Sequence, residues 1–292
     1  MSSYARPASV DEALELLGHE GAVVLAGGTD LAGQIDRGIT TPALLVDLQA
    51  AGLGGVSADG DGVRIGATVT LAELARTDLL TPYAAVVTAA ALAASPLLRN
   101  QGTVGGNLCQ HTRCWYYRGE EWQCWLGGGD TCFAQIGDHR KHGLEEGDCI
   151  SAHPSDLAPA LAACGATIVV RSADGERELP LLGLYRRPTD ENRSLVTLAV
   201  GEMVVAARLP APPDASVYLR TGERRTFSFP LVSVAAARRG DALTLAAAGV
   251  ANIPRALDPA EPLAGLPGHP QSAWKRTVLE TLVERASQAV QG

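Results

Sequence analysis

Lysine is almost missing from this chain. Of 24 basic residues only Lys141 and Lys275 are lysines, which we read as a compositional habit of the lineage. A surplus of positive charge is missing too. The formal net charge is −8, so no excess of cations is available to neutralise a phosphate backbone, and nucleic acid is excluded as the main partner. No apolar run reaches the roughly 20 residues of a membrane helix, so no membrane span is expected. The opening MSSYARPASVDEALELL has no basic n-region followed by an apolar h-region, so no secretory signal is expected and a cytoplasmic location is. Also absent are G-x-G-x-x-G, G-x-x-x-x-G-K-[ST] and any C-x-x-C pair. The Rossmann and P-loop fingerprints and the zinc-ribbon knuckle go with them.

What is present is unevenly spread. With 292 residues, 46% hydrophobic and 19% charged, the chain has a foldable composition and length for about two domains. All six cysteines (Cys109, Cys114, Cys124, Cys132, Cys149 and Cys164) fall in one window, with Trp115, Trp122 and Trp125 and with His111, His139, His142 and His153. Without a secretory signal, such a cluster points more to metal ligation than to disulfides. The spacing Cys114-x9-Cys124-x7-Cys132-x16-Cys149 suits a four-thiolate cluster, but unligated structural thiols and a redox disulfide stay open on spacing alone. Cys164, in Leu161-Ala-Ala-Cys-Gly, reads as an ordinary buried thiol. His111, His139 and His142 read as surface or hydrogen-bonding residues, and the tryptophans as an apolar shell.

The local patterns give an α/β opening. Ser9-Val-Asp-Glu12 is a capping-box pattern that should start a helix ending near Gly18. Ala22–Leu25 and residues 43–48 read as strands around a helix from Leu31. Residues 63–67 read as a strand, Thr70-Leu-Ala-Glu73 as a second capping box, and Thr81-Pro82 as N-cap and first residue of a long helix to Ala94. Residues 155–163 read as helix and 166–171 as strand. Pro210-Ala-Pro-Pro213 reads as a linker. Strands at 218–221, 231–237 and 242–250 and an amphipathic helix at 273–289 complete a small α+β unit.

Two Gly-Gly segments stand where apolar elements stop: Ala26-Gly27-Gly28-Thr29-Asp30-Leu31 and Thr103-Val-Gly105-Gly106-Asn107-Leu108. Glycines that turn through positive φ let successive N–H groups converge on an anion, and two such nests would suit a diphosphate. Taken singly, each reads as a plain turn.

These two segments, in this order and about 75 residues apart, closely resemble the FAD loops of the flavin subunits of the molybdenum hydroxylases, the xanthine dehydrogenase family. His153-Pro-Ser-Asp-Leu157, Gly201-Glu-Met-Val204 before Arg208-Leu-Pro210, and Tyr218-Leu-Arg220 through Val232-Ser-Val234 resemble later stretches of the same family, so the likeness covers nearly the whole chain. It implies an α+β protein. A two-subdomain FAD-binding domain like that of vanillyl-alcohol oxidase would occupy 1–54 and 55–212, with a cysteine-rich insert at 109–153. A small α+β C-terminal domain would occupy 213–292. It implies FAD diphosphate binding by Ala26, Gly27, Gly28, Thr29, Asp30, Leu31, Thr103, Gly105, Gly106 and Asn107, and bonds from Ser155 and Asp156 to the ribityl or adenosine hydroxyls. Where the family usually has Tyr-x-Lys near the flavin, this chain has Arg220, whose planar fork is not equivalent to an ammonium.

The long stretch between the second loop and Ser155 resembles an insert found in aldehyde oxidoreductase flavin subunits and in the β subunit of 4-hydroxybenzoyl-CoA reductase. The resemblance implies a [4Fe–4S] cluster on Cys114, Cys124, Cys132 and Cys149, with Cys109 the alternative ligand. It further implies a large molybdopterin-binding subunit and a small subunit with two [2Fe–2S] clusters as partners. The expected function is an electron-transfer flavin subunit of a molybdenum-containing oxidoreductase acting on aldehydes or N-heterocycles. Electrons would pass from the partner [2Fe–2S] clusters through FAD to an external acceptor, and no catalytic residue for substrate is expected in this chain. One alternative is a dearomatising acyl-CoA reductase β subunit with inward electron flow. The other is a non-redox zinc-binding scaffold. A partner's signal could also export the folded complex.

Overall fold

The computed structural model describes residues 2–224 and 227–291. The chain builds three sheets. The first is parallel, in the order Ser3–Ala5, Leu44–Asp47, Ala22–Leu25, with helices Val10–Leu17 and Leu31–Asp36 between its strands. The second is antiparallel, in the order Val56–Asp59, Gly62–Gly66, Met203–Leu209, Thr167–Ser172, Gly175–Pro180. Everything from residue 67 to 166 is therefore a long excursion from this sheet. The third is antiparallel, in the order Arg255–Leu257, Ala242–Ala248, Val232–Arg239, Ala215–Thr221.

The caps follow their chemistry. Ser9 Oγ accepts from the Glu12 amide at 3.2 Å, while the Glu12 carboxylate accepts from the amide of Ala8 instead of Ser9. At Thr70 both halves of the capping box form. The Thr81-Pro82 expectation is corrected. A 3₁₀ turn, Asp78–Leu80, comes first, and the helix runs Ala84–Leu92 with Tyr83 at its N-cap. Tyr83 is buried and its hydroxyl donates to Pro210 O. The helix therefore starts two residues later than the Thr81-Pro82 pattern suggests.

Pro210 to Pro213 joins Met203–Leu209 of the second sheet to Ala215–Thr221 of the third and is pinned by Tyr83 and by an Arg239 guanidinium on Ala211 O. The C-terminal sheet is sandwiched. The helix Leu157–Ala163 lies on one face and Trp274–Gln291 on the other. Tyr218, Ala235, Ala237 and Ala246 thus share a core with Ile65, Leu161 and Ile168 of the preceding sheet and helix. Small alanines on both sides let the layers approach closely.

Candidate functional site

The strand Ala22–Leu25 ends at the first Gly-Gly segment, and its two glycines have different reasons to be glycine. Gly28 has φ +68°, a conformation that L side chains rarely adopt. Gly27 is a close-approach position, since a Cβ there would lie 1.8 Å from the carbonyl oxygen of Gln101. The first loop is thereby seated on the chain that leads into the second. Among the described residues, none of the N–H groups of Gly27 to Asp30 donates to a protein acceptor. These amides form a cradle for an anion.

The second segment is built differently from the expected glycine loop. Thr103 caps a short helix, Val104–Leu108, by accepting from the Gly106 amide at 3.2 Å. Gly105 N–H donates to Ala67 O and Asn107 N–H to Thr103 O. Neither Gly105 nor Gly106 has positive φ. Both are close-packing glycines: a Cβ on Gly105 would meet Ala67 at 3.2 Å, and one on Gly106 would meet Thr103 Oγ1 at 3.0 Å. This segment contributes a wall without side chains, its own amides being occupied.

Both segments line one groove of about 400 Å³, together with Val23, Leu48, Cys109, Leu198 and Met203. Through Thr29 and Asp30 the groove meets a small cavity lined by Asn107, Asp156, Arg113 and Phe229. Through Arg113 and Phe229 that cavity meets a larger one, about 370 Å³, which reaches Cys114, Trp115 and His142 of the insert. Ser155 and Arg220 lie behind these walls. Ser155 O–H donates to Asn107 Oδ1 at 2.6 Å, and its Oγ accepts from the Ala158 amide. Arg220 donates to Asp156, Leu92 O and Ser228 O. Burial pushes Asp156 up to about 6, against the pull of Arg220 and the Tyr218 hydroxyl.

Asp30 does something the sequence does not announce. Its carboxylate accepts from Arg113, from Arg118 at 2.8 Å and from the His111 amide at 2.9 Å. Burial alone would raise its pKa, but the two guanidiniums and the amide outweigh it and hold the carboxyl below its ordinary value. Two cations on one carboxylate leave a net positive corner beside the free amides. Arg113 Nε is buried and has no partner among the described residues. An anionic ligand fits that corner.

The insert gathers its four central cysteines. Cys114, Cys124, Cys132 and Cys149 line one narrow cleft with Tyr116, Tyr117 and Phe133. Cys109 faces the groove instead, and Cys164 is fully buried elsewhere. All six are free thiols. Burial pushes Cys114 up to about 12. It likewise raises Cys124, and Cys149 to about 11 against the nearby hydroxyl of Ser151. Burial also raises Cys109 to about 12. Among the described residues no three His, Cys, Asp or Glu groups converge as a single metal ion would need. Trp115 and Trp122 pack with Tyr116 and Phe133 near the cleft, while Trp125 also carries the Arg193 guanidinium on its face. His139 and His142 are buried, which corrects the surface alternative. His111 Nδ1 meets Tyr117 Oη at 2.6 Å, His139 Nδ1 meets Gly137 O at 3.0 Å, and His142 Nε2 meets Cys114 Sγ at 3.1 Å.

A parallel α/β unit and an antiparallel sheet flank a groove whose first loop presents free amides, the geometry of a site for a phosphate-bearing ligand. The model of the FAD binding domain in molybdopterin dehydrogenase matches residues 1–212, and the chain belongs to that family. It is 36% identical over 250 residues, 82% of this chain and 78% of the other, to the aldehyde oxidoreductase FAD-binding subunit PaoB of Escherichia coli K12. It is 28% identical over 206 residues, 68% of this chain and 58% of the other, to the carbon monoxide dehydrogenase medium chain of Hydrogenophaga pseudoflava. In fold it matches the quinoline 2-oxidoreductase structure from Pseudomonas putida 86, with TM-score 0.73, 18% identity and coverage of 100% and 98%. The protein is thus an FAD-binding component of the oxidoreductase class. Among the described residues no helix is long and apolar enough to cross a membrane.

Proposed function

We propose that this chain is the electron-transfer flavin subunit of a molybdenum-containing oxidoreductase for aldehydes or N-heterocycles. It would work with a large molybdopterin subunit and a small subunit carrying two [2Fe–2S] clusters. The observation that carries the reading is the free amide cradle of Gly27 to Asp30, with the unpartnered Arg113 Nε beside it. The amides and Arg113 hold the diphosphate, and Gly105 and Gly106 let it approach the backbone. Cavities on either side of the loops receive the two ends of the dinucleotide. Bound there, FAD exchanges electrons singly or in pairs. Asn107 lines the connecting cavity, and Ser155 positions Asn107 from behind. Asp156 and Arg220 brace the same wall from the C-terminal sheet.

We assign Cys114, Cys124, Cys132 and Cys149 as ligands of a [4Fe–4S] cluster. In such a cluster each thiolate holds a different iron, so the sulfurs surround a volume instead of converging on a point. The four sulfurs line one narrow cleft, which supports the assignment, and binding iron would draw off their protons. The similarity to an aldehyde oxidoreductase FAD-binding subunit supports outward electron flow to an external acceptor. Absorbance, iron and FAD content test both assignments together. The purified protein should show flavin bands and about four irons, and Cys124→Ser should lose the irons while keeping FAD. A colourless protein would leave the zinc-scaffold alternative. Equal loss of FAD and iron in Cys124→Ser would make the insert mainly a staple for the flavin domain.

A further inference from the structure

We propose that His142 is a positioning residue that donates its Nε2–H to the sulfur of Cys114 and so raises the reduction potential of the cluster. The proposal rests on the cluster assignment above. His142 is 2% exposed and its Nε2 lies 3.1 Å from Cys114 Sγ. Its Nδ1 is buried and has no partner among the described residues. A neutral imidazole carries one N–H. Placed on Nδ1, that proton would be a buried donor with no acceptor, which is unfavourable. Placed on Nε2, it meets sulfur. The second arrangement leaves only a lone pair unmatched, so the ring donates and the sulfur accepts.

Packing fixes the ring in this pose. Trp115 stands edge-on to it at 4.7 Å, and Tyr116 lies at 6.1 Å. The imidazole is thus a side-chain donor on one ligand of the four. Donors on a ligating sulfur withdraw negative charge from the cluster, which favours its reduced state. Cys114 and His142 also line the cavity that connects to the flavin groove. The tuned ligand is therefore the one on the flavin side.

The test uses the full chain purified with its partners, as wild type, His142→Gln and His142→Phe. Iron and FAD are counted, and the cluster is titrated by paramagnetic resonance. Proton coupling to the reduced cluster is compared in H₂O and D₂O. The wild type should show an exchangeable proton strongly coupled to the cluster. His142→Phe should lose it, and its potential should fall by a tenfold change in the one-electron equilibrium, about 59 mV. His142→Gln, which retains an N–H, should fall less. A His142→Phe protein with full iron and an unmoved potential overturns the proposal alone. If that variant fails to load iron, absence of the exchangeable coupling in the wild type overturns it instead. A wild type with FAD but without iron overturns the cluster assignment, and the proposal with it.

Discussion

The two Gly-Gly segments share a pattern and divide the labour. The first, at the end of Ala22–Leu25, keeps its amides free and needs one glycine for conformation and one for contact. The second spends its amides on a short helix and on Ala67, and needs its glycines only for contact. One segment therefore supplies donors and the other supplies room. Substitutions that add a single methyl group should separate these roles.

The largest effect is expected at Gly27. A Cβ 1.8 Å from a backbone carbonyl cannot be accommodated by rotating a side chain, so the two segments must part. Gly27→Ala should cost at least ~3 kcal/mol, the upper end of overpacking penalties, and FAD should be lost. Denaturant midpoints and flavin content measure the two consequences. Stability within about 1 kcal/mol of wild type would show that the contact between the segments gives way easily.

Asp30→Asn comes next. It removes the charge that holds Arg113 and Arg118 of the insert and should cost about 2–3 kcal/mol, below the full value for a buried pair because Arg113 is partly exposed. The pH dependence has a definite sign. The folded carboxyl is held below its ordinary value of 3.8, so its contribution is complete above that value and is lost as pH falls through the folded one. The gap in urea midpoint between wild type and Asp30→Asn should therefore shrink on acidification from about pH 5 to about pH 3. A gap that does not change with pH would mean that the arginines do not depress this group.

These contrasts also mark what could be read without coordinates. The caps at Ser9 and Thr70 and the strand Ala22–Leu25 follow local rules and were legible. Cys114, Cys124, Cys132 and Cys149, singled out by resemblance, line one cleft. The strands Val56–Asp59 and Gly175–Pro180 were not legible, because edge strands with exposed polar faces carry no hydrophobic alternation. The ties from Asp30 to Arg113 and Arg118, and from Asp156 to Arg220, join residues more than 60 positions apart. No local pattern announces such partners. The two uses of Gly-Gly were equally hidden, since a positive φ and a close approach demand the same residue.

Gly28→Ala isolates conformation. Only Leu25 Cδ1, at 3.5 Å, lies near the added methyl, so the cost is the left-handed backbone itself, about 1–2 kcal/mol. Because the cradle keeps its position, FAD affinity should fall less than it does in Gly27→Ala. Equilibrium unfolding with flavin fluorescence reads both. Complete loss of FAD would mean that the turn cannot be held without glycine.

Gly105→Ala should have the smallest effect on stability, because two terms oppose each other there. The residue sits inside the helix Val104–Leu108, where alanine gains up to ~1 kcal/mol over glycine. Against that, the new methyl meets Ala67 at 3.2 Å, a crowding that costs about 1–2 kcal/mol if the sheet does not yield. The net loss should stay near or below ~1 kcal/mol. Flavin affinity should respond more than stability, since Gly105 also lines the groove. A variant that keeps its unfolding midpoint while binding FAD more weakly would confirm that the second segment acts by making room. Unchanged affinity would show that the diphosphate does not lie against it.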